Sequence, residues 1–284
     1  MNKTATEERE REFHFSDKEF KFISNLVGER TGIVLSEAKR QMVYGRLSRR
    51  LRQLNLTKFS DYCDMLTSGH EGELIEFTNA ITTNLTAFFR ENHHFEYLKG
   101  TVLPELIRKN AHTKRLRIWS AGCSSGEEPY SIAMCVREML PKSSGWDVKI
   151  LATDLDSNMV QRGKNGVYTS ERVEGLTPAR MKRWVKKGTG ENSDKVRMSD
   201  ELRELITFKE LNLMENWPIK GPFDFMFCRN VVIYFNKDTQ RILFDRYADL
   251  LKSDAHLFIG HSESLNKVTD RFALLGKTIY QKVK

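Results

Sequence analysis

The chain has 284 residues, 39% of them hydrophobic and 30% charged, and its 46 basic against 38 acidic side chains give a formal net charge of +8. That length accommodates one large domain or two ordinary ones. No apolar run approaches the ~20 residues needed to span a bilayer, so a soluble globular protein without membrane insertion is expected. The positive balance suits nucleic acid or an acidic protein surface equally and does not choose between them.

The N-terminus, MNKTATEEREREF, is charged and lacks the apolar centre of a signal peptide, which predicts a cytoplasmic protein. Cys63, Cys123, Cys135 and Cys228 form no CxxC pair and have no histidine at ligand spacing. Reduced thiols in ordinary packing are expected, and no zinc site.

Residues 1–15 read as a charged, mobile arm. A capping box at Ser16–Glu19 opens a helix with Phe20, Ile23 and Val27 at helical spacing, and Gly32 ends it. A second helix over 37–54 places Val43, Leu47, Leu51 and Leu54 on one face. Helical pattern continues through 59–66 and 73–83 without a convincing strand, which predicts a small helical domain over 16–80. Within it, 39–52 holds six basic residues and no acidic one. Lys39, Arg46, Arg49 and Arg50 share an arc beside the apolar stripe. An ordinary solvated face would carry glutamates for i,i+4 pairing, so this face is a candidate docking surface.

The segment 81–100 reads as a linker contributing to a ligand site. Its TTNLTAFFRENHHF mixes hydroxyls, amide, aromatics and one arginine. Phe88 and Phe89 suit a core, whereas Asn84, Thr86 and Arg90 are costly to bury unless a ligand supplies partners. His93 and His94 match no HExxH or carboxylate–histidine set, and no metal is expected.

From residue 101 the pattern alternates. Strands are predicted at 116–120, 148–153, 206–211, 223–228 and 256–260, with helices such as 127–140 and 237–251 between them. This is the signature of an α/β domain with a doubly wound, mostly parallel sheet. FALLGKTIYQK, turning at Gly276-Lys277, predicts an antiparallel hairpin at the sheet edge. The rhythm breaks after Ser170. Residues 181–187 and 195–198 are basic and strand-like around a turn-rich 188–194, which predicts an inserted helix plus a small antiparallel β-subdomain, the latter over about 181–210, a long surface loop being the alternative.

The most informative segment is RIWSAGCSSGEEPYSIAM, 117–134. A short apolar strand passes through Gly122 and Gly126 into a helix with Pro129 in its first turn, a nucleotide-type pocket of α/β folds. Bare helix N-termini attract phosphate, but Glu127 and Glu128 repel it. A cationic or hydroxyl-rich ligand free of phosphate fits better, and S-adenosyl-L-methionine is one. Asp154, at the end of ATDLD, suits both ribose hydroxyls, while a helix-capping role suits Asp156 better. Asn212 and Leu213 follow the third strand and suit the edge and face of an adenine, or a simple turn. Arg229 and Asn230 end the fourth strand over the ligand crevice. Tyr234 stands about one helical turn further on, over the crevice or capping the sheet.

Together TTNLTAFFRE, AGCSSGEEPYSIA, ATDLD, LNL, FCRNVVIYF and GHSES, in that order and over nearly the whole chain, resemble the CheR family of chemotaxis receptor methyltransferases. The resemblance implies a helical N-terminal domain linked to a methyltransferase domain, 101–284, that carries the β-subdomain. It implies methylation of receptor glutamates from S-adenosyl-L-methionine, giving γ-methyl esters and S-adenosyl-L-homocysteine. Carried over by position, Asn84, Thr86, Arg90, Glu127, Asp154, Asn212, Leu213, Arg229 and Asn230 are cofactor contacts. Arg90 and Tyr234 lie near the transferred methyl. The implied partner is the acidic methylation helices of methyl-accepting chemotaxis receptors, met by Lys39, Arg46, Arg49 and Arg50. In some members the β-subdomain also holds the receptor's C-terminal peptide, a role open to the basic 186–197 region here.

Three other classes share parts of this pattern. A nicotinamide-dependent dehydrogenase needs GxGxxG and a phosphate-friendly helix start, which Glu127-Glu128 denies. A nucleic-acid methyltransferase usually carries an Asn/Asp-Pro-Pro-aromatic run, where this chain has RNVVIYF. A non-catalytic receptor-binding module that kept the fold is distinguished by failing to bind the cofactor.

Overall fold

Ser16 opens the first helix of the computed structural model, which describes residues 12–284. Its hydroxyl accepts the Glu19 N–H at 3.3 Å while Glu19 Oε2 accepts the Ser16 N–H at 2.6 Å, the reciprocal cap expected. This helix, α1, runs Asp17–Thr31 and ends on Gly32 in the left-handed conformation. A single turn at Glu37–Lys39 leads into α2 (Arg40–Gln53), then α3 (Phe59–Thr67) and α4 (Glu71–Ile81). Val43, Leu47 and Leu51 of α2 are fully buried, as their spacing predicts.

The expectation of a mobile arm over residues 1–15 fails at its last residues. Its first eleven residues lie outside the described part, but Phe13 and Phe15 are buried in the helical core. The Phe15 ring lies 4.4 Å from that of Phe59. Burying each aromatic side chain gains about 1.5–3 kcal/mol, enough to order the backbone that carries it.

The basic face of α2 also departs from expectation. Arg50 grips Glu73 of α4 through Nε at 2.8 Å and Nη2 at 2.5 Å, and the Tyr62 hydroxyl donates to the same carboxylate. Arg46 donates to the carbonyls of Ile81 and Thr82 at 2.5 Å each, satisfying the C-terminus of α4. The acidic partners absent from α2 itself come from the neighbouring helix, so Arg46 and Arg50 hold the helical unit together. Lys39 and Arg49 remain exposed. This unit ends at Thr83.

The second unit runs from Asn84 to Lys284. Its elements in order are α5 (His93–Tyr97), a π-type turn at Leu98–Val102, α6 (Leu103–Lys109), β1 (Arg115–Ala121), α7 (Glu127–Met139), β2 (Asp147–Asp154), α8 (Ser157–Asn165), β3 (Val167–Thr169), α9 (Pro178–Trp184), β4 (Val185–Lys187), β5 (Lys195–Met198), α10 (Asp200–Arg203), β6 (Ile206–Glu210), β7 (Phe223–Cys228), α11 (Lys237–Leu250), β8 (Leu251–Ile259), β9 (Phe272–Gly276) and β10 (Ile279–Lys282). Seven strands form one sheet in the order β6-β2-β1-β7-β8-β10-β9. The first five are parallel to one another, and β10 is antiparallel to both β8 and β9. The FDFMFC strand is buried throughout, with Phe225 and Phe227 in one core layer and Met226 and Cys228 in the other. Parallel strands covered on both faces read as continuous apolar runs for this reason.

A second sheet, β3-β5-β4, is the antiparallel subdomain. It differs from the sequence reading in two places. Met181 to Trp184 are helical rather than extended, because Thr177 caps a helix with Pro178 in its first turn and buried Trp184 anchors its end. The third strand comes from Val167–Thr169, ahead of the expected insert. In the terminal hairpin the left-handed turn residues are Lys277 and Thr278, one position later than expected.

All four cysteines are buried and free. Burial pushes the Cys63 and Cys135 thiols up to about 12 and raises those of Cys123 and Cys228 as well. No helix among the described residues is long and apolar enough to cross a membrane.

Arg50→Ala strands the Glu73 carboxylate and is expected to cost about 2–4 kcal/mol. Arg49→Ala, on the exposed side of the same helix, is expected to stay within about 0.5 kcal/mol. Urea denaturation of the full-length chain, followed by circular dichroism, measures both.

Candidate functional site

The crevice lies where the parallel strands end and the chain changes direction, β1 standing between β2 on one side and β7 on the other. Gly122 makes the first bend after β1 at φ 76°, and a Cβ there would collide with Val231 from the turn after β7. Gly126 precedes α7 at φ 102°, with Gly163, Tyr168 and Phe208 crowding the place of a Cβ. Only glycine lets the backbone pass at both points.

Two carboxylates line the crevice. Asp154 ends β2, accepting the Ser124 N–H on Oδ2 at 2.7 Å and the Asp156 N–H on Oδ1 at 3.0 Å. Each oxygen keeps a lone pair for a further donor. Burial pushes this carboxyl up to about 6 against the backbone amides of Asp156, Ser124 and Leu155. Glu127 is fully buried at the start of α7 and takes the Ser125 hydroxyl on Oε2. Its Oε1 is buried without a well-formed hydrogen bond, although Arg172 Nη2 stands 2.9 Å away. A ligand ammonium would satisfy that oxygen, and ribose hydroxyls would satisfy Asp154. The donor set therefore fits S-adenosyl-L-methionine and repels a pyrophosphate.

The linker is drawn into the same place. Asn84 donates to Asp156 Oδ2 at 2.7 Å, and its carbonyl accepts the Ser124 hydroxyl at 2.9 Å. The Thr86 carbonyl accepts Arg172 Nη1 at 3.2 Å. Arg90 sits between Phe89 and Glu91, both left-handed at φ 54° and 56°. Non-glycine residues rarely adopt that conformation, and neighbours must hold them there. Ser131 of α7 accepts the Phe89 N–H at 3.0 Å, and Arg229 Nη2 donates to the Arg90 carbonyl at 2.5 Å.

Arg229 directly follows β7, at the strand end where the sequence places it. Its side chain is 2% exposed, with Glu91 at 3.2 Å and Glu128 at 3.4 Å. A buried guanidinium needs such partners, and these fix it beneath the linker turn. Glu128 also accepts the Ser120 hydroxyl at 2.8 Å, and burial raises its carboxyl despite Arg229. Burial works to raise Glu91 too, but the His261 hydrogen bond and the Arg229 charge outweigh it and hold that carboxyl down to about 2.

Asn212 takes the turn geometry its position allowed, with Oδ1 accepting the Met214 N–H at 3.0 Å. Leu213 is buried beside it. Asn230 is left-handed at φ 60°, and Tyr234 is half-buried at the end of the single turn Val232–Tyr234. Glu91, His93 and His94 offer ligand atoms within 4.8 Å of one another. Arg229 already places positive charge beside Glu91, which opposes a second cation there. Arg172, Glu91 and Glu263 escaped the sequence reading. GHSES contains Glu263, but no periodicity marks it.

Residues 18–82 match the family model described as CheR methyltransferase, all-alpha domain, and 84–281 match CheR methyltransferase, SAM binding domain. The chain is 44% identical over 268 residues to a chemotaxis protein methyltransferase of Escherichia coli (strain K12), covering 93% of this chain and 91% of that protein. It is 44% identical over 271 residues to chemotaxis protein methyltransferase 2 of Pseudomonas aeruginosa, covering 95% and 94%. A chemotaxis protein methyltransferase of Borreliella burgdorferi is 40% identical over 239 residues, covering 82% and 83%.

His94 supplies a test of this packing. It is fully buried, with Nε2 3.0 Å from the Lys277 carbonyl, and burial, aided by Arg229, lowers its pKa to about 4. An unfolded histidine titrates near 6.5, so the unfolded chain binds the extra proton first. Stability is therefore full above pH ~6.5 and falls as the pH drops from there toward 4. Between pH 7 and 4.5 the wild type is expected to lose roughly 2–3 kcal/mol more than His94→Gln, measured by urea midpoints at each pH.

Proposed function

The chain belongs to the CheR methyltransferase family, and we propose that it methylates glutamate side chains in the cytoplasmic region of chemotaxis receptors. Its cofactor is S-adenosyl-L-methionine. The observation that best supports this reading is the pair of buried carboxylates at the crevice, Glu127 with an ill-served oxygen and Asp154 with lone pairs to spare.

When bound, S-adenosyl-L-methionine supplies a methyl carbon on a sulfonium, so a C–O bond forms as the C–S bond breaks and no proton moves. A substrate glutamate is already ionised at neutral pH, with an ordinary pKa near 4.3, and the site needs no general base. What remains is alignment, which can supply about 7–11 kcal/mol of a barrier. In this reading Asp154 accepts the ribose hydroxyls and Glu127 the ammonium. Asn84 and Thr86 close the linker over the cofactor, while Asn212 and Leu213 flank its adenine. Arg90, presented on its strained turn, orients a carboxylate. The Tyr234 hydroxyl steers the attacking oxygen with one hydrogen bond. Arg229 acts through the turn it holds, and Asn230 through its backbone conformation.

The docking face is reassigned in part. Lys39 and Arg49, exposed on the helical unit, carry the main electrostatic attraction to acidic methylation helices. Arg46 and Arg50 present what charge their internal partners leave. The three-stranded sheet has open edges at β3 and β4, to which a receptor's C-terminal peptide can add as a strand.

Tritiated S-adenosyl-L-methionine and receptor-containing membranes test the chemistry. Label released by alkali as volatile methanol marks a carboxyl ester, while base-stable label overturns the reading. Tyr234→Phe is expected to slow turnover about tenfold with unchanged affinity for S-adenosyl-L-homocysteine, whereas full turnover would remove the hydroxyl from the mechanism. Because the Asp154 carboxyl lies near pH 6, that affinity should weaken about tenfold per unit below it. Asp154→Asn should bind weakly at every pH, and isothermal titration between pH 5 and 8 reads both.

A further inference from the structure

The turn that carries Asn230 and Tyr234 leaves β7 without a sheet or helix partner for its first amides, and backbone donors in that position need acceptors. Glu263 supplies them. Its side chain is buried, and its carboxylate takes four backbone N–H groups. Oε2 accepts from Gly260 at 2.6 Å and Asn230 at 2.9 Å. Oε1 accepts from Val231 at 2.9 Å and Ile233 at 3.2 Å. Three of these donors lie in the turn after β7, and the fourth lies at the end of β8.

The two segments touch so closely that a Cβ at Gly260 would collide with the Asn230 amide. The sheet does not depend on this carboxylate, since β7 and β8 pair up to Cys228 and Ile259 by their own ladder. What depends on it is the path of the chain from Asn230 to Tyr234, including the left-handed Asn230. Asn230 Nδ2 in turn lies 3.4 Å from Glu91, the neighbour of Arg90.

We propose that Glu263 is a positioning residue for methyl transfer, fixing the backbone of residues 230–233 so that the Tyr234 hydroxyl meets the reacting oxygen. This rests on the role given to Tyr234 above. A carboxylate is the side chain suited to the task, having two oxygens with two lone pairs each and no hydrogen of its own. Glutamine presents an NH2 group to one pair of these donors and leaves that pair unsatisfied. The turn then relaxes, while Asp154 at the end of β2 and Glu127 at the start of α7 keep their places.

A double-mutant cycle with Glu263→Gln and Tyr234→Phe tests the proposal, with turnover on receptor membranes and the dissociation constant for S-adenosyl-L-homocysteine read for each protein. Glu263→Gln is expected to lower kcat at least tenfold while that dissociation constant stays within twofold. In the Tyr234→Phe background it should lower kcat less than twofold further. Turnover like wild type in Glu263→Gln, with Tyr234→Phe slow, overturns the role of Glu263 alone. Two losses that multiply in full also overturn it, as does a loss of affinity in step with kcat. Tyr234→Phe turning over like wild type overturns the Tyr234 reading, and the proposed route from Glu263 with it. Should Glu263→Gln fail to bind S-adenosyl-L-homocysteine at unit stoichiometry, Glu263→Asp takes its place under the same criteria.

Discussion

The buried guanidinium of Arg229 ties together three parts of the chain that are far apart in sequence. It lies at the end of β7, pairs with Glu128 on α7 and Glu91 in the linker, and donates to the Arg90 carbonyl. Removing one partner of such a group leaves a charge stranded in the interior, a loss of about 3–5 kcal/mol. That is enough to hold the two left-handed residues on either side of Arg90, each of which costs on the order of 1 kcal/mol or more. The strained turn persists because the charge below it has nowhere better to go. Geometry at the linker is thus set from inside the methyltransferase domain.

The electrostatics of the crevice follow from the same arrangement. Glu128, adjacent to Glu127, has its charge balanced by Arg229, whereas Glu127 has only a half-exposed arginine beside one oxygen. Two neighbouring residues at one helix start therefore do different work, one structural and one turned toward a ligand. Asp154 adds a third acidic group at the end of β2, held by amides and not by a cation. A pocket so lined favours a positively charged sulfur donor over a phosphate-bearing coenzyme.

Much of this was legible in the residues. Alternation of apolar strands with helices placed all five parallel strands, and Ser16 with Glu19 marked the first helix start. The glycines around Cys123 and the two glutamates after them pointed to the ligand chemistry. Other features depend on contacts that local spacing cannot report. The face of α2 looked unpaired because its acidic partners were sought within one turn, while Glu73 lies 23 residues from Arg50. The pairing of Arg229 with Glu128 was not legible, because the two lie 101 residues apart and nothing near either in sequence marks it. Glu263 serves backbone amides, which carry no side-chain signature. Met181 to Trp184 read as extended because basic and aromatic residues suit either state, and the Thr177-Pro178 start decided for a helix.

The thiols have a practical consequence. Each cysteine is enclosed and protonated far above neutral pH, so alkylating reagents reach it only when the surrounding structure opens. Cys63 stands in the helical unit and the other three in the methyltransferase domain. The chain thereby contains its own reporters of local opening. Labelling at Cys63 follows breathing of the helical unit, and labelling at Cys123, next to the crevice, follows access to the pocket floor.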